Sequence, residues 1–176
     1  GESNSNADHI IRPPHEMLLT EKGHSQALRV AERVRKLEVE ALVSSDYSRA
    51  LQTAGAIEKA TGLPVEPTPL FVEWREAALT MGWNSRSEEA RKIYEQMRAG
   101  YLLPDHRHSD EENFSDLKQR AFRALAFLEE HPKSRICVVM HGAFLRFLFG
   151  AMVFGEYFTG KHFNPLFGKL VTSNTG

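Results

Sequence analysis

The chain is short of cysteine, of excess charge and of long apolar runs, and each shortage closes off a class of protein. One cysteine, Cys137, among 176 residues cannot form a disulfide within the chain, which excludes a disulfide-stapled secreted domain. Lys and Arg number 22 and Asp and Glu 23, a formal net charge of −1. A surface so balanced does not attract nucleic acid or anionic lipid as a whole, although a local basic site is still allowed. The longest apolar stretch, Phe147–Phe154, is bounded by Arg146 and falls well short of the ~20 residues that span a bilayer. The polar N-terminal stretch has no apolar segment behind a basic one, so no secretory signal is read there. No internal repeat, low-complexity tract or interdomain linker interrupts the chain. What these absences leave is a soluble, cytoplasmic protein with no membrane and no nucleic-acid partner. At roughly 100–200 residues per domain, its length predicts one domain over residues 1–176.

What is present suits a packed core: 41% of the residues are hydrophobic and 10% aromatic. Residues 1–19 are polar, carry Pro13-Pro14 and read as a loop. Thr20 is placed to cap a helix running to about Leu37, with Ala27, Val30, Ala31, Val34 and Leu37 on one stripe. Ala41-Leu42-Val43 predicts a short buried strand, and Ser44-Ser45-Asp46 a turn or cap. A second helix, about Tyr47 to Ala60, turns Ala50, Ala54 and Ile57 inward and is stopped by Gly62 and Pro64. Residues 65–72 suit a strand, but Pro67 and Pro69 confine it to an edge. Ser85 with Glu88 makes a capping box for a helix ending at Gly100. A polar loop follows over 102–112, then a helix over about 115–130 with Leu117, Ala121, Ala124 and Leu128 inward, stopped by Pro132. Residues 136–140 form a continuous apolar strand, broken by His141-Gly142 before an apolar helix to about Phe154. Strands alternating with helices predict an α/β fold with a mainly parallel sheet.

In such folds ligands sit at the carboxyl ends of the strands. Three polar groups fall there: Ser45-Asp46 with Arg49, then Glu73, then His141-Gly142. His141 lies between a strand and a helix N-terminus, whose free N–H groups favour an anion, and its protonated ring can donate to a phosphoryl oxygen. It could equally satisfy only a local backbone group. The Arg49 guanidinium fits phosphate or carboxylate with two parallel hydrogen bonds, or pairs at the surface with Asp46 or Glu58. Glu73 can protonate a leaving oxygen, with Glu76 a nearby competitor; an ordinary solvated glutamate is the plain alternative.

Other readings weaken on spacing. The run Gly155–His162 nearly matches a phosphate loop, but position 162 lacks the hydroxyl that binds Mg²⁺ and a helix precedes it. Cys137 as a phosphatase nucleophile wants an arginine six residues on, where Ala143 stands, so it reads as a buried apolar residue. Residues 105–110 carry metal-like side chains but no helix to set His106 and His108 on one face.

Taken together, the chain resembles the histidine phosphatase superfamily, also called phosphoglycerate mutase-like. Gly1-Glu2-Ser3 with Asn6 is similar to that family's R-H-G-E-[ST] opening from its glycine onward. Leu19-Thr20-Glu21-Lys22-Gly23 with Gln26-Ala27 resembles L-T-x-x-G-x-x-Q-A. Residues Ser44 to Ala54 resemble S-S-D-x-x-R-A-x-Q-T-A. Pro69 to Glu73 resembles P-L-L-x-E, and Val138 to Gly142 resembles V-V-S-H-G, with Arg146 also matching. The five matches are collinear over about residues 1–146. The resemblance implies a three-layer αβα fold and a phosphomonoesterase working through a phosphohistidine, without metal or cofactor, on a small phosphorylated substrate. It implies that Arg49 and His141 hold phosphoryl oxygens, with Asn6 and Gly142 adding hydrogen bonds, and that Glu73 is the acid. Residues 80–113 would cover the pocket from the substrate side, with Trp83, Tyr94 and Arg98 as candidates to line it or, for Tyr94, simply to fill the core.

The chain departs from the pattern in three places. The Arg-His of R-H-G would precede Gly1, so the nucleophile lies outside these residues. The family's F-G-x-W-E-G is replaced by Trp74-Arg75-Glu76-Ala77-Ala78-Leu79. The mutase segment R-H-Y-G-x-L is missing, which favours hydrolysis over isomerisation. A phosphomutase, or a non-catalytic phospholigand-binding module, are the competing expectations. The first strand of such a fold lies inside the sheet and its last would follow 173–176, so the segment read here is expected to be a fragment that folds poorly alone.

Overall fold

A computed structural model of the protein describes residues 1–103 and 105–170. Three parallel strands, β1 (Ala41–Ser45), β2 (Val65–Thr68) and β3 (Ile136–Val139), form a sheet in the order β2-β1-β3. Seven α-helices are described: α1 (Asn4–Asp8), α2 (Glu21–Arg35), α3 (Ser48–Thr61), α4 (Glu88–Gly100), α5 (Phe114–Glu129), α6 (Gly142–Phe154) and α7 (Gly160–Lys169).

The alternation of side chains along β1 builds the three layers. Leu42 joins Ala31 and Val34 of α2 and Ile57 of α3 on one face. Val43 turns the other way, onto Leu117, Ala121 and Ala124 of α5 and Phe144 and Phe147 of α6. On β3, Cys137 and Val139 pack on the α2–α3 side and Ile136 and Val138 on the α5–α6 side. A central strand covered on both faces reads as a continuous apolar run, and β1 is buried throughout. β2, with Pro67, lies at one edge as the prolines require. β3 lies at the other edge, and all four of its residues are only half-buried despite their apolar character.

Several caps follow the sequence. The Thr20 hydroxyl accepts from the Gly23 N–H at the start of α2, and Gly62 ends α3 in the left-handed region at φ 76°. Others correct it. The stretch predicted as a loop over 1–19 holds α1, because Ser3 and Asn6 cap each other reciprocally. α4 is capped by Ser87, whose hydroxyl accepts from Ala90 N–H; Ser85 is occupied elsewhere, its N–H donating to the His9 carbonyl. Ser44 and Ser45 complete β1 instead of starting a turn. The 65–72 strand stops at Thr68 and becomes a 3-10 turn over Pro69–Phe71.

α7 carries Pro165 and two glycines and gives no clear helical signal. It forms because Phe163 is buried in an aromatic cluster with Tyr101 and Phe147. The run 155–162 follows α6, a helix and not a strand, so the phosphate-loop context is absent. The strand-like run beyond Leu170 and the turn at 173–176 lie outside the described residues. Among the described residues, no helix is long and apolar enough to cross a membrane.

Candidate functional site

The sequence motifs first fasten the N-terminal segment beside the sheet. The Glu2 N–H donates to the Gln26 Oε1 (2.7 Å), the Leu19 N–H to the Gln52 Oε1 (2.7 Å), and the Gly1 nitrogen lies 3.2 Å from the Thr53 hydroxyl. Thr53 in turn donates to the Arg49 carbonyl at 2.9 Å. Gly23 is needed where α2 passes this segment, since a Cβ there would collide with the Glu2 carbonyl.

At the carboxyl ends of the strands, Arg49 in the first turn of α3, Glu73 after the 3-10 turn, His141 as the N-cap of α6, Gly142, Asn6 and Gly1 all line one cavity of about 390 Å³. The structure thus brings together the five site residues expected from sequence. The same cavity continues as an apolar trough along β3, walled by Val30, Val34, Ile57, Cys137, Val138 and Val139.

His141 is 8% exposed. Its Nε2 lies 2.8 Å from the Ser45 hydroxyl, and its ring lies 5.3 Å from that of Tyr47. Burial pushes the imidazole well below its usual range, and the charges of Arg49 and Arg120 add to this. An anion placed in the cavity would oppose this push and favour the doubly protonated ring. Arg49 stands over the Tyr47 ring at 5.4 Å; burial works against its charge and the Glu73 carboxylate supports it.

The free N–H groups at the start of α6 already have a partner, the side-chain carboxyl of Glu73. Ala143 N–H donates to its Oε2 (3.1 Å) and Phe144 N–H to its Oε1 (2.8 Å), while Trp74 N–H also reaches Oε1 (3.1 Å). Gly142 lines the cavity with its own N–H uncommitted among the described residues. Asn6 is exposed at the rim; its Oδ1 accepts from the Ser3 N–H (3.0 Å).

Glu76 does not line the cavity. It is largely buried, and its Oε2 has no partner among the described residues. Burial pushes its carboxyl up, opposed first by the Tyr94 hydroxyl. Trp83, Tyr94 and Arg98 do not line the cavity either. Tyr94 stacks on Trp74 at 6.4 Å and Arg98 lies over Phe167 at 5.3 Å. Cys137 is half-buried in the trough and burial raises its thiol. In the 105–110 loop the His108 N–H is taken up by the Glu111 carboxylate. Among the described residues no three His, Cys, Asp or Glu side chains gather to hold a metal ion.

Sequence reasoning did not pick out Tyr47, Thr53 or Arg120. All but Arg120 stood inside a matched motif, Ser44 to Ala54, which was the available signal; Arg120 comes behind the Glu73 segment only through folding.

Residues 1–163 match the family described as histidine phosphatase superfamily (branch 1). The chain belongs to this superfamily. It is 33% identical over 144 residues to the protein named "Probable phosphoglycerate mutase GpmB" of Escherichia fergusonii, and 34% identical over 149 residues to its namesake in Cronobacter sakazakii. Both matches cover 81% of this chain, and the chain spans 66%, just under two thirds, of the length of these curated relatives. Among solved structures, mycobacterial glucosyl-3-phosphoglycerate phosphatase in complex with VO3 is similar at a TM-score of 0.76 and 21% identity, covering 93% of this chain and 81% of that one. The alpha-ribazole phosphatase of Shigella flexneri gives 0.74 and 22%, covering 94% and 80%. These likenesses establish the histidine phosphatase αβα fold.

Proposed function

We propose that the protein is a metal-independent phosphomonoesterase of the histidine phosphatase superfamily, acting in the cytoplasm through a phosphohistidine. The observation that carries this reading is the convergence of Gly1, Arg49, Glu73 and His141 on one cavity. The nucleophile is a histidine directly preceding Gly1, on an extended segment lying in the trough along the open edge of β3. Among the described residues no strand pairs with that edge, and its backbone groups are of the kind a further strand satisfies. Such a residue would stand beside Arg49 and His141, where the resemblance calls for it.

In the first step a ring nitrogen of that histidine attacks phosphorus and the ester oxygen departs with a proton from Glu73. In the second, water attacks the phosphohistidine, gives a proton to Glu73 and releases inorganic phosphate. Arg49, His141, Gly142 and Asn6 hold the phosphoryl oxygens, and fixed positive charge around developing negative charge is the main catalytic device in such transfers. Glu73, not Glu76, is assigned the acid, because it faces the cavity. Residues 80–113 are assigned to the same single domain, as a cover on the substrate side; Asp110 and Glu112 tie them to the segment that carries Glu73, accepting from the Ala78 and Arg75 N–H groups.

Product analysis tests the reading. Release of inorganic phosphate from a phosphate monoester by the full-length protein is expected. Formation of an isomeric phosphate ester instead would mark a phosphomutase, the activity named for the curated relatives. A residue other than histidine encoded before Gly1 would leave a phospholigand-binding module and overturn the enzymatic reading.

A further inference from the structure

Arg120 is a buried cation that the mechanism above does not use. Its side chain is 7% exposed, and it sits on α5, behind the segment that carries Glu73. It forms a two-pronged pair with Glu112, Nε to Oε1 at 2.9 Å and Nη2 to Oε2 at 2.7 Å. Its Nη groups also reach three carbonyls of one short main-chain stretch, those of Leu70 (3.4 Å), Val72 (2.7 Å) and Glu73 (3.4 Å). The guanidinium also lies over the Phe144 ring, its Cζ 3.9 Å from the centroid. Phe144 is the residue whose N–H holds Glu73 Oε1. Glu112 grips the same segment independently, its Oε2 accepting from the Arg75 N–H at 2.9 Å and its N–H donating to the Arg75 carbonyl.

The Glu73 segment has no sheet to hold it, because β2 ends at Thr68. Without ladder partners its carbonyls need side-chain donors when buried. Only the rigid fork of arginine can bind a carboxylate with two bonds and still serve several carbonyls. We propose that Arg120, clamped by Glu112, is the positioning residue that sets the Glu73 carboxyl at the leaving oxygen. This rests on the phosphatase reading and extends it: the α5–loop clamp governs protonation of the leaving group, separately from binding of the phosphoryl group.

Leaving-group chemistry provides the test, because an alkyl phosphate needs a proton donor and a nitrophenyl phosphate does not. With the full-length protein, Arg120→Lys is expected to lower the single-turnover rate of phosphoenzyme formation from an alkyl phosphate by at least about tenfold, since small misplacements of a catalytic group have effects of this size or more. The same first-step rate from the nitrophenyl ester should stay within about threefold, whereas hydrolysis of the phosphoenzyme, which also uses Glu73, slows equally for both. In a Glu73→Gln background the same change should have no further effect on the alkyl ester. Circular dichroism checks folding, and Glu112→Gln, which keeps the side-chain size and loosens the same clamp, carries the comparison if Arg120→Lys does not fold. Equal losses on both esters in the rate of phosphoenzyme formation would overturn the positioning role while leaving the phosphatase reading standing. A parent protein inert toward both esters would overturn that reading, and this inference with it.

Discussion

The Ser45 hydroxyl and the His141 Nε2 lie 2.8 Å apart, buried, and bridge the ends of two neighbouring strands across 96 positions of sequence. Ser45 also accepts from the Tyr47 N–H at 3.2 Å. One small side chain thus fixes both the imidazole and the entry of α3, which carries Arg49.

Replacing it, Ser45→Ala, is therefore expected to cost about 1–3 kcal/mol, the usual cost of leaving a buried hydrogen-bonding group unpaired. Urea unfolding of the variant against the parent measures it. An unchanged midpoint and slope would show that the hydroxyl holds nothing.

His141 makes stability depend on pH. In the unfolded chain the ring takes up its proton near the ordinary value of 6.5; in the folded protein it does so only well below that, chiefly because it is buried. Between the two values the unfolded state binds more protons. Stability is then fully present above about pH 6.5 and is lost as pH falls from there toward the folded value. Melting curves without phosphate should fall more steeply below about pH 6.5 for the parent than for His141→Gln. Parallel curves would contradict this assignment.

Gly23→Ala forces a Cβ against the Glu2 carbonyl. Either α2 or the N-terminal segment must shift, and overpacking of this kind costs about 1–3 kcal/mol. Because Gly1 and Asn6 line the cavity, phosphate affinity should fall along with the melting temperature. A drop in stability with unchanged phosphate binding would show that the N-terminal segment takes no part in the site.

Arg49, a cation lining the cavity, is proposed to hold the phosphoryl group. Arg49→Gln should weaken inorganic phosphate binding roughly tenfold to a hundredfold, the worth of a hydrogen bond to a charged group. Isothermal titration gives the value, and an unchanged Kd would remove Arg49 from the phosphate site.

Much of this arrangement was legible from local chemistry. Thr20, Gly62 and Pro132 bound their helices as their hydroxyl, missing Cβ and missing N–H require. The apolar runs at Ala41–Val43 and Ile136–Val139 are strands because they are covered from two sides. Arg49, Glu73 and His141 could be picked out because each follows the end of an apolar segment, where α/β folds gather their ligands. What stayed hidden depends on contacts distant in sequence. Nothing near Ser85 says that its N–H goes to His9, leaving Ser87 as the cap. Nothing near Gly160 says that Phe163 will be drawn into an aromatic core strongly enough to keep a helix around Pro165. A free helix start at α6 suits an added anion, but the fold supplies a carboxyl group of its own from 70 positions earlier. Arg120 reads as a surface arginine on an amphipathic helix until its five hydrogen bonds are seen.

The central claim is that phosphate passes through a covalent bond to a histidine standing before Gly1 and between Arg49 and His141. Rapid acid-free quenching of the full-length protein with a labelled phosphate ester, followed by separation of the protein, tests it most directly. The account predicts a phosphoenzyme that survives base and is lost in acid, in amounts approaching one per chain at early times. Steady release of phosphate with no such adduct under single-turnover trapping would contradict it.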